Sequence, residues 1–292
     1  MSLHRRTLLA AAPAFLATAA RAGAAAPIAA LTEYERASGG RIGLFAQNLV
    51  SGARLAWRAD ERFIMCSTFK ASLAACALSR VDAGKARLDE TFAFGPGDLL
   101  EYAPVARETL AKAGGSRATL TLAAACEGAV ELSDNTCANL LLKRIGGPPA
   151  LTAFWRASGD TVTRLDRMEP ELNRWAPGDL RDTTTPTAMA GTLRRFVLGE
   201  VLSAASRTRL TGWMIDCKTG AKRLRAGLPA GWRTGDKTGN NGHDASGDIA
   251  ITWPSAGRPV VVCAYTQGGK PTTAQTEAAF AGIGRAVGER LA

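Results

Sequence analysis

The chain has 292 residues, 46% hydrophobic and 21% charged, which fits one large globular domain or two small ones and excludes a disordered, collagen-like or coiled-coil protein. Only two histidines occur, His4 and His243, with no H-E-x-x-H, so a three-histidine zinc site is excluded and any general base comes mostly from Lys, Glu and Asp. The net charge is +10, but the basic residues are scattered and only 6% of residues are aromatic, which reads as a solvated basic surface and not a nucleic-acid platform.

Residues 1–24 read as a removable export leader. Arg5-Arg6 precede an apolar run, Leu8 to Ala20, that is too short to span a bilayer, and Ala22-Gly23-Ala24 offers a small-x-small cleavage site. The paired arginines point to a twin-arginine signal. Its removal takes away three arginines and leaves a charge of about +7. No other apolar run is long enough to cross a membrane, so a periplasmic or secreted protein is expected.

Residues 27–38 predict a short helix. Arg41–Val50 and Arg54–Arg58 predict strands joined through Ser51-Gly52, a hairpin signal. From Thr68 to Val81 the chain is Ala/Leu-rich and helical. Helices follow at Leu120–Leu132, Asn135–Ile145, Ala150–Ala157, Pro186–Leu198 and Ser203–Asp216. Gly231–Gly239, Asp248–Trp253 and Pro259–Thr266 read as strands, and residues 272–291 close the chain as an amphipathic helix. Strands at both ends bracket a helical middle. The expected architecture is α/β: an antiparallel five-stranded sheet flanked by helices, plus an all-helical second lobe. The sheet domain comprises 25–65 and 216–292, the helical domain 66–215, and the active site lies at their junction. The cysteines Cys66, Cys76, Cys126, Cys137, Cys217 and Cys263 all lie in the mature chain. They are too sparse for a disulfide-built fold, so a hydrophobic core must hold it.

Four motifs carry chemistry. Ser67-Thr68-Phe69-Lys70 opens a helix, with the lysine one turn on, where its amine can take the serine proton. Ser133-Asp134-Asn135 sits between two helices; its serine can pass a proton to a leaving nitrogen, its asparagine can hold an amide carbonyl, and its aspartate reads as a helix cap. Glu169-Pro170-Glu171-Leu172-Asn173 lies in a long irregular stretch, where Pro170 restrains a carboxylate suited to activating water. Lys-Thr-Gly occurs twice. Lys218-Thr219-Gly220 reads as a turn with a C-cap glycine. Lys237-Thr238-Gly239 ends a strand, where a lysine, a hydroxyl and a flat backbone can grip a substrate carboxylate.

In this order, S-x-x-K, S-D-N, E-P-E-L-N and K-T-G, the chain resembles a class A β-lactamase over nearly its whole mature length. Asp134–Leu142, Arg164–Arg167 and Arg181–Thr184 support the resemblance. It implies a serine β-lactamase or penicillin-binding-protein-like fold and hydrolysis of β-lactam antibiotics. Ser67 is then the acylated nucleophile and Lys70 its proton partner. Ser133 relays a proton to the β-lactam nitrogen. Asn135 binds the substrate side-chain amide, and Glu169 with Asn173 activates water. Lys237, Thr238 and Gly239 receive the carboxylate, and the backbone N–H groups of Ser67 and Asn240 form the oxyanion hole. Tyr102 forms an aromatic wall. Arg167 and Asp182 close the loop that carries Glu169. The resemblance implies no cofactor or metal, β-lactams as small-molecule substrates, no nucleic-acid or membrane partner after leader removal, and a monomer.

Departures from the family pattern are informative. Ala245-Ser246-Gly247 occupies the stretch where many members place an arginine, and Arg223 matches the alternative arginine of other members. Cys66 precedes the nucleophile as in a carbapenem-hydrolysing subgroup, but its partner position is Asn241, so that activity is not implied. Cys126 fits one end of another family disulfide, yet the partner position is Ala74; Cys76 lies two residues on, about 200° around the helix. The stretch Glu108–Thr119 is longer than usual. The competing readings are a penicillin-binding D,D-peptidase, against which the E-P-E-L-N loop argues, and a non-enzymatic β-lactam sensor.

Overall fold

The computed structural model describes residues 28–255 and 257–292. The leader read from residues 1–24 lies outside the described residues. No helix among the described residues is long and apolar enough to cross a membrane.

The described residues open with α1 (Ala29–Ser38), then β1 (Arg41–Asn48), β2 (Arg54–Trp57) and the short β3 (Phe63–Ile64). A single 3-10 turn, Cys66–Thr68, leads into α2 (Phe69–Asp82). Next come β4 (Thr91–Phe94), α3 (Pro104–Lys112), β5 (Ala118–Thr121), α4 (Leu122–Glu131), α5 (Asn135–Ile145) and α6 (Pro148–Ala157). A largely irregular stretch reaches β6 (Thr183–Thr184), followed by α7 (Pro186–Val197), α8 (Ala204–Ile215) and the one-turn α9 (Leu224–Gly227). The chain ends with β7 (Arg233–Asn240), β8 (Ala245–Trp253), β9 (Val260–Gln267) and α10 (Thr273–Arg290).

The first two and last three long strands form one antiparallel sheet in the order β2-β1-β9-β8-β7. Its central strand β9, VVVCAYTQ, is buried along its whole length, so it is apolar on both faces. Val262 and Ala264 meet Leu31, Phe280 and Ile283 of α1 and α10 on one side. Val261, Cys263 and Tyr265 face Met189 and Phe196 of α7 on the other. The two-residue period of the strand thus feeds two cores.

Behind the second face lies α2. Every residue from Phe69 to Leu78 is buried, so the helix has no solvent face before its last turn, and its alanines let neighbouring helices approach closely. Side-chain caps fix where its neighbours begin. Thr121 accepts from Ala124 N for α4, Asp134 from Cys137 N for α5, Thr185 from Ala188 N for α7 and Ser203 from Ser206 N for α8.

The sheet and main helices match the sequence expectation, with three differences. Helix α4 starts at Leu122, not Leu120, because Ala118–Thr121 pair with Thr91–Phe94 as a small two-stranded sheet. Helix α3 lies in the long stretch before it, started by Pro104. Strand β8 begins at Ala245, three residues early, because Ala245 already pairs with β9, and Ser246 and Gly247 with both β7 and β9.

Candidate active site

The nucleophile turn is held by its neighbours. Cys66 adopts a left-handed backbone, φ +45°, which turns the chain into α2 and places Ser67 at its mouth. Thr68 Oγ1 bonds Met65 O at 2.8 Å and the Tyr265 hydroxyl at 3.1 Å, fastening the turn to β9. Strand β7 passes so close that a Cβ on Gly239 would lie 2.7 Å from Ser67 N and 2.9 Å from Met65 O. The glycine of the second K-T-G is therefore a steric requirement of this approach.

One turn after Ser67, at the second residue of α2, Lys70 is fully buried. Its Nζ donates to Ser133 O at 2.8 Å and to Asn135 Oδ1 at 2.5 Å, and lies 3.0 Å from Glu169 Oε1. The same Glu169 oxygen accepts from Ser67 Oγ at 3.3 Å. Its other oxygen accepts from Asn173 Nδ2 at 2.6 Å, and Asn173 Oδ1 is buried with no partner among the described residues. The Glu169–Pro170 peptide is cis. Asn139 grips the backbone of Glu169 from α5, donating to its carbonyl at 2.9 Å and accepting from its N–H at 3.1 Å.

Ser133 also has a left-handed backbone, φ +60°. Its Oγ accepts from Lys237 Nζ at 3.0 Å, so one lysine holds its carbonyl and the other its hydroxyl. Asp134 does more than cap α5, since its second oxygen accepts from Ala106 N at 3.0 Å and ties α3 to the motif. Lys237 is fully buried, and burial, with the nearby charges of Lys70 and Arg223, pulls its pKa down to about 8 against the opposing pull of Cys217 and Asp236.

Arg223 Nη1 donates to Gly239 O at 2.8 Å and Gly247 O at 2.7 Å, which aims the guanidinium along the end of β7. No carboxylate among the described residues pairs with it within ion-pair distance. Tyr102 stands half-exposed at the rim, and its carbonyl accepts from Asn135 N at 3.0 Å. Asn240 ends β7. Ser67, Tyr102, Ser133, Asn135, Asn173, Arg223, Thr238, Gly239 and Asn240 line one cleft of about 500 Å³. Lys70, Glu169 and Lys237 lie buried behind it. All twelve residues singled out from the sequence are thus brought together.

One reading needs correction. Lys218-Thr219-Gly220 is not a turn capped by its glycine: α8 ends at Ile215 with Asp216 as its cap residue, and Gly220 instead packs against the Asp236 carboxylate. Thr219 lines the cleft and shares a 2.5 Å hydrogen bond with Thr238 Oγ1. Nothing in its sequence context distinguishes it. Asn139 was open to detection, being one turn after Asn135 on the same helix face.

A buried lysine and glutamate around a serine at a helix mouth, facing a strand edge with a second lysine, define a serine acyl-transfer hydrolase. The comparisons with known proteins narrow this. Residues 25–291 match the model of the β-lactamase enzyme family. The chain is 49% identical over 278 residues to β-lactamase L2 of Stenotrophomonas maltophilia, covering 94% of this chain and 89% of that one. Among solved structures, an ancestral (GNCA) class A β-lactamase is 54% identical with a TM-score of 0.83, covering 89% of this chain and 97% of that one. A β-lactamase from Xanthomonas campestris is 46% identical with a TM-score of 0.85, covering 90% and 97%. The chain belongs to the β-lactamase enzyme family, in its class A, serine branch.

Proposed function

We propose that this protein hydrolyses the β-lactam amide through an acyl-enzyme on Ser67. The observation that carries the mechanism is the position of Glu169, whose one oxygen is within reach of both Ser67 Oγ and Lys70 Nζ while Asn173 holds the other. In acylation the Ser67 proton passes to the Lys70–Glu169 pair and Oγ attacks the lactam carbonyl. The developing oxyanion is met by the N–H groups of Ser67 and Asn240. The C–N bond breaks, and the nitrogen takes its proton from Ser133 Oγ, which Lys237 Nζ supports; Ser133 is reprotonated from the Lys70–Glu169 pair, so the proton taken from Ser67 ends on the nitrogen and Glu169 is again a free carboxylate. Asn135 receives the side-chain amide; Lys237, Thr238 and Arg223 receive the carboxylate. In deacylation Glu169 takes a proton from water held with Asn173, the water oxygen attacks the ester, and Ser67 recovers its proton.

The two lobes assigned to this chemistry are residues 25–65 with 216–292, and residues 66–215. The chain is read as a monomer exported after loss of residues 1–24, acting on β-lactams in the periplasm or outside the cell. Glu169→Ala tests the mechanism. With benzylpenicillin it is expected to trap the Ser67 acyl-enzyme, visible by intact-mass spectrometry within seconds to minutes, while steady-state hydrolysis falls by the 10²–10⁴-fold that a general base contributes. Wild-type turnover in this variant overturns the assignment, and a single turnover by the wild-type protein marks a D,D-peptidase instead.

A further inference from the structure

Behind the Thr238 hydroxyl runs a short line of side chains that the mechanism above does not use. Thr238 Oγ1 lies 2.5 Å from Thr219 Oγ1, and Thr219 Oγ1 lies 3.2 Å from Cys217 Sγ. Thr219 and Thr238 line the cleft, while Cys217 is buried. Together they make one chain of hydrogen bonds from the cleft into the interior. The backbone that carries it is fixed from several sides. Cys217 N donates to Met214 O at 3.4 Å, and Lys218 N to Glu131 O at 2.9 Å, at the end of α4 and two residues before Ser133. Gly220 presses on β7 so closely that a Cβ there would overlap Asp236 Oδ2. Thr219 is therefore held between the end of α4 and the strand that carries Lys237 and Thr238.

A proton count gives this chain a direction. Each threonine hydroxyl carries one proton. So does the thiol, because burial first and the charge of Asp236 second push its pKa up. Two internal bonds use two of the three protons, and the third must leave the chain at one end. The inner end offers it no acceptor. The neighbouring Asp236 has one oxygen, Oδ1, taken by Arg225 at 2.6 and 2.8 Å, and its other oxygen is buried without a hydrogen-bond partner among the described residues. The outer end opens on the cleft, where a substrate carboxylate is an acceptor with no proton of its own. With that carboxylate bound, Cys217 donates to Thr219, Thr219 donates to Thr238, and Thr238 donates to the substrate. Bonds that run in one sense polarise each other and strengthen the last of them.

We propose that Cys217 and Thr219 are positioning residues for the substrate carboxylate: they supply the two inner hydrogen bonds of a one-way chain that leaves the Thr238 proton free for the substrate. The proposal rests on the role given above to Thr238. Neither residue touches the reacting atoms, so their contribution is to binding and not to the chemical steps. Thr219 without its hydroxyl leaves Thr238 no inner donor. Cys217 without its thiol lets the Thr219–Thr238 bond reverse, which turns the Thr238 proton away from the cleft.

The test measures kcat and KM for benzylpenicillin in Cys217→Ala, Cys217→Ser, Thr219→Val and the Cys217→Ala/Thr219→Val double variant, with a circular dichroism melt to establish folding. Cys217→Ala and Thr219→Val are each expected to raise KM by about threefold to tenfold, the range one lost hydrogen bond supports. Because the lost interaction is uniform binding, kcat should stay within about twofold. Cys217→Ser keeps a donor at the head of the chain and should restore KM to within about twofold of wild type, which a thiol that merely fills space would not predict. The double variant should be no worse than Thr219→Val alone, since both act through one chain. A wild-type KM in both folded single variants, a serine variant as impaired as the alanine one, or additive effects in the double variant each overturn the chain. Thr238→Val separates this from the reading beneath it. A raised KM there beside wild-type values in the other variants removes the chain alone, whereas an unchanged KM in Thr238→Val removes the carboxylate role of Thr238 and the proposal with it.

Discussion

Lys237 stands at the meeting point of two demands. Its ammonium must be charged to hold a carboxylate, yet burial pulls its pKa down to about 8. Only the protonated form attracts the substrate, so carboxylate binding is present below about 8 and is lost as pH rises through it. The kcat/KM for benzylpenicillin should fall on an alkaline limb near pH 8, while kcat falls later, because a bound carboxylate keeps the proton on. A pH–rate profile checks this, and a free-enzyme limb at the ordinary lysine pKa removes Lys237 from the titration. The stability linkage has the opposite sign. The unfolded lysine binds its proton at higher pH than the folded one, so the cost of burying this charge is present below about 8 and is relieved as pH rises toward the ordinary lysine value. Arg223 complements Lys237 from the other side of Gly239. Arg223→Ala is expected to raise KM with little change in kcat, by about 1–3 kcal/mol for one charge-assisted contact, measured by steady-state kinetics. Unchanged kinetics leave Lys237 as the only cation at the carboxylate.

The loop from Arg164 to Asp182 presents Glu169 with no more regular structure than a single 3-10 turn, Glu171–Asn173, so its shape depends on side chains. Asp182, fully buried and in a left-handed backbone conformation, accepts from Asp166 N at 2.7 Å and Arg167 N at 3.0 Å and pairs with Arg167 Nε at 2.5 Å. Asp182→Ala removes one carboxylate from three donors. It should cost about 2–3 kcal/mol, below the usual loss for breaking a buried pair because Arg167 keeps some solvent contact, and it should slow deacylation more than acylation. A urea melt and the rate of acyl-enzyme decay check both. This loop also marks how far sequence reasoning reaches. The helices α5, α7, α8 and α10 are legible because apolar residues recur along them and a polar residue caps each start, and α2 because it is a run rich in Ala and Leu. In the irregular loop Glu169, Pro170 and Asn173 are legible from the sequence, but not the side chains outside the loop that hold it. The grip of Asn139 on Glu169 and the bond from Trp175 to Asp244 join residues 30 and 69 apart in sequence, which no local period encodes. Strand β8 hid its first residues for another reason: Ala245, Ser246 and Gly247 are too small to look like a strand, yet Gly247 must be small because a Cβ there would lie 2.6 Å from the Tyr265 ring.

Over the whole molecule, two apolar clusters on opposite faces of the sheet carry the fold, and the excess positive charge is broken up by ion pairs such as Arg58–Glu35, Arg144–Glu90 and Arg225–Asp236. The cysteines belong to this apolar interior. All six are buried and none is paired. Cys76 on α2, Cys126 on α4 and Cys137 on α5 sit in one cluster but do not bridge, in keeping with Cys76 lying two residues beyond the position that would face Cys126. Burial pushes the Cys76 thiol up to about 11 and those of Cys66, Cys126 and Cys137 higher still. Because the thiolate is the reactive form, the folded protein should be nearly inert to thiol reagents at neutral pH. With Ellman's reagent, well under one thiol per molecule is expected to react within minutes in buffer, and all six in denaturant without reductant. A count of four in denaturant would mean that one disulfide forms in the protein as produced. The melting temperature should be the same with and without dithiothreitol, since no cross-link restrains the unfolded chain and the clusters on the two faces of the sheet supply the stability. A drop on reduction would show that a disulfide, not packing alone, holds α2 against α4.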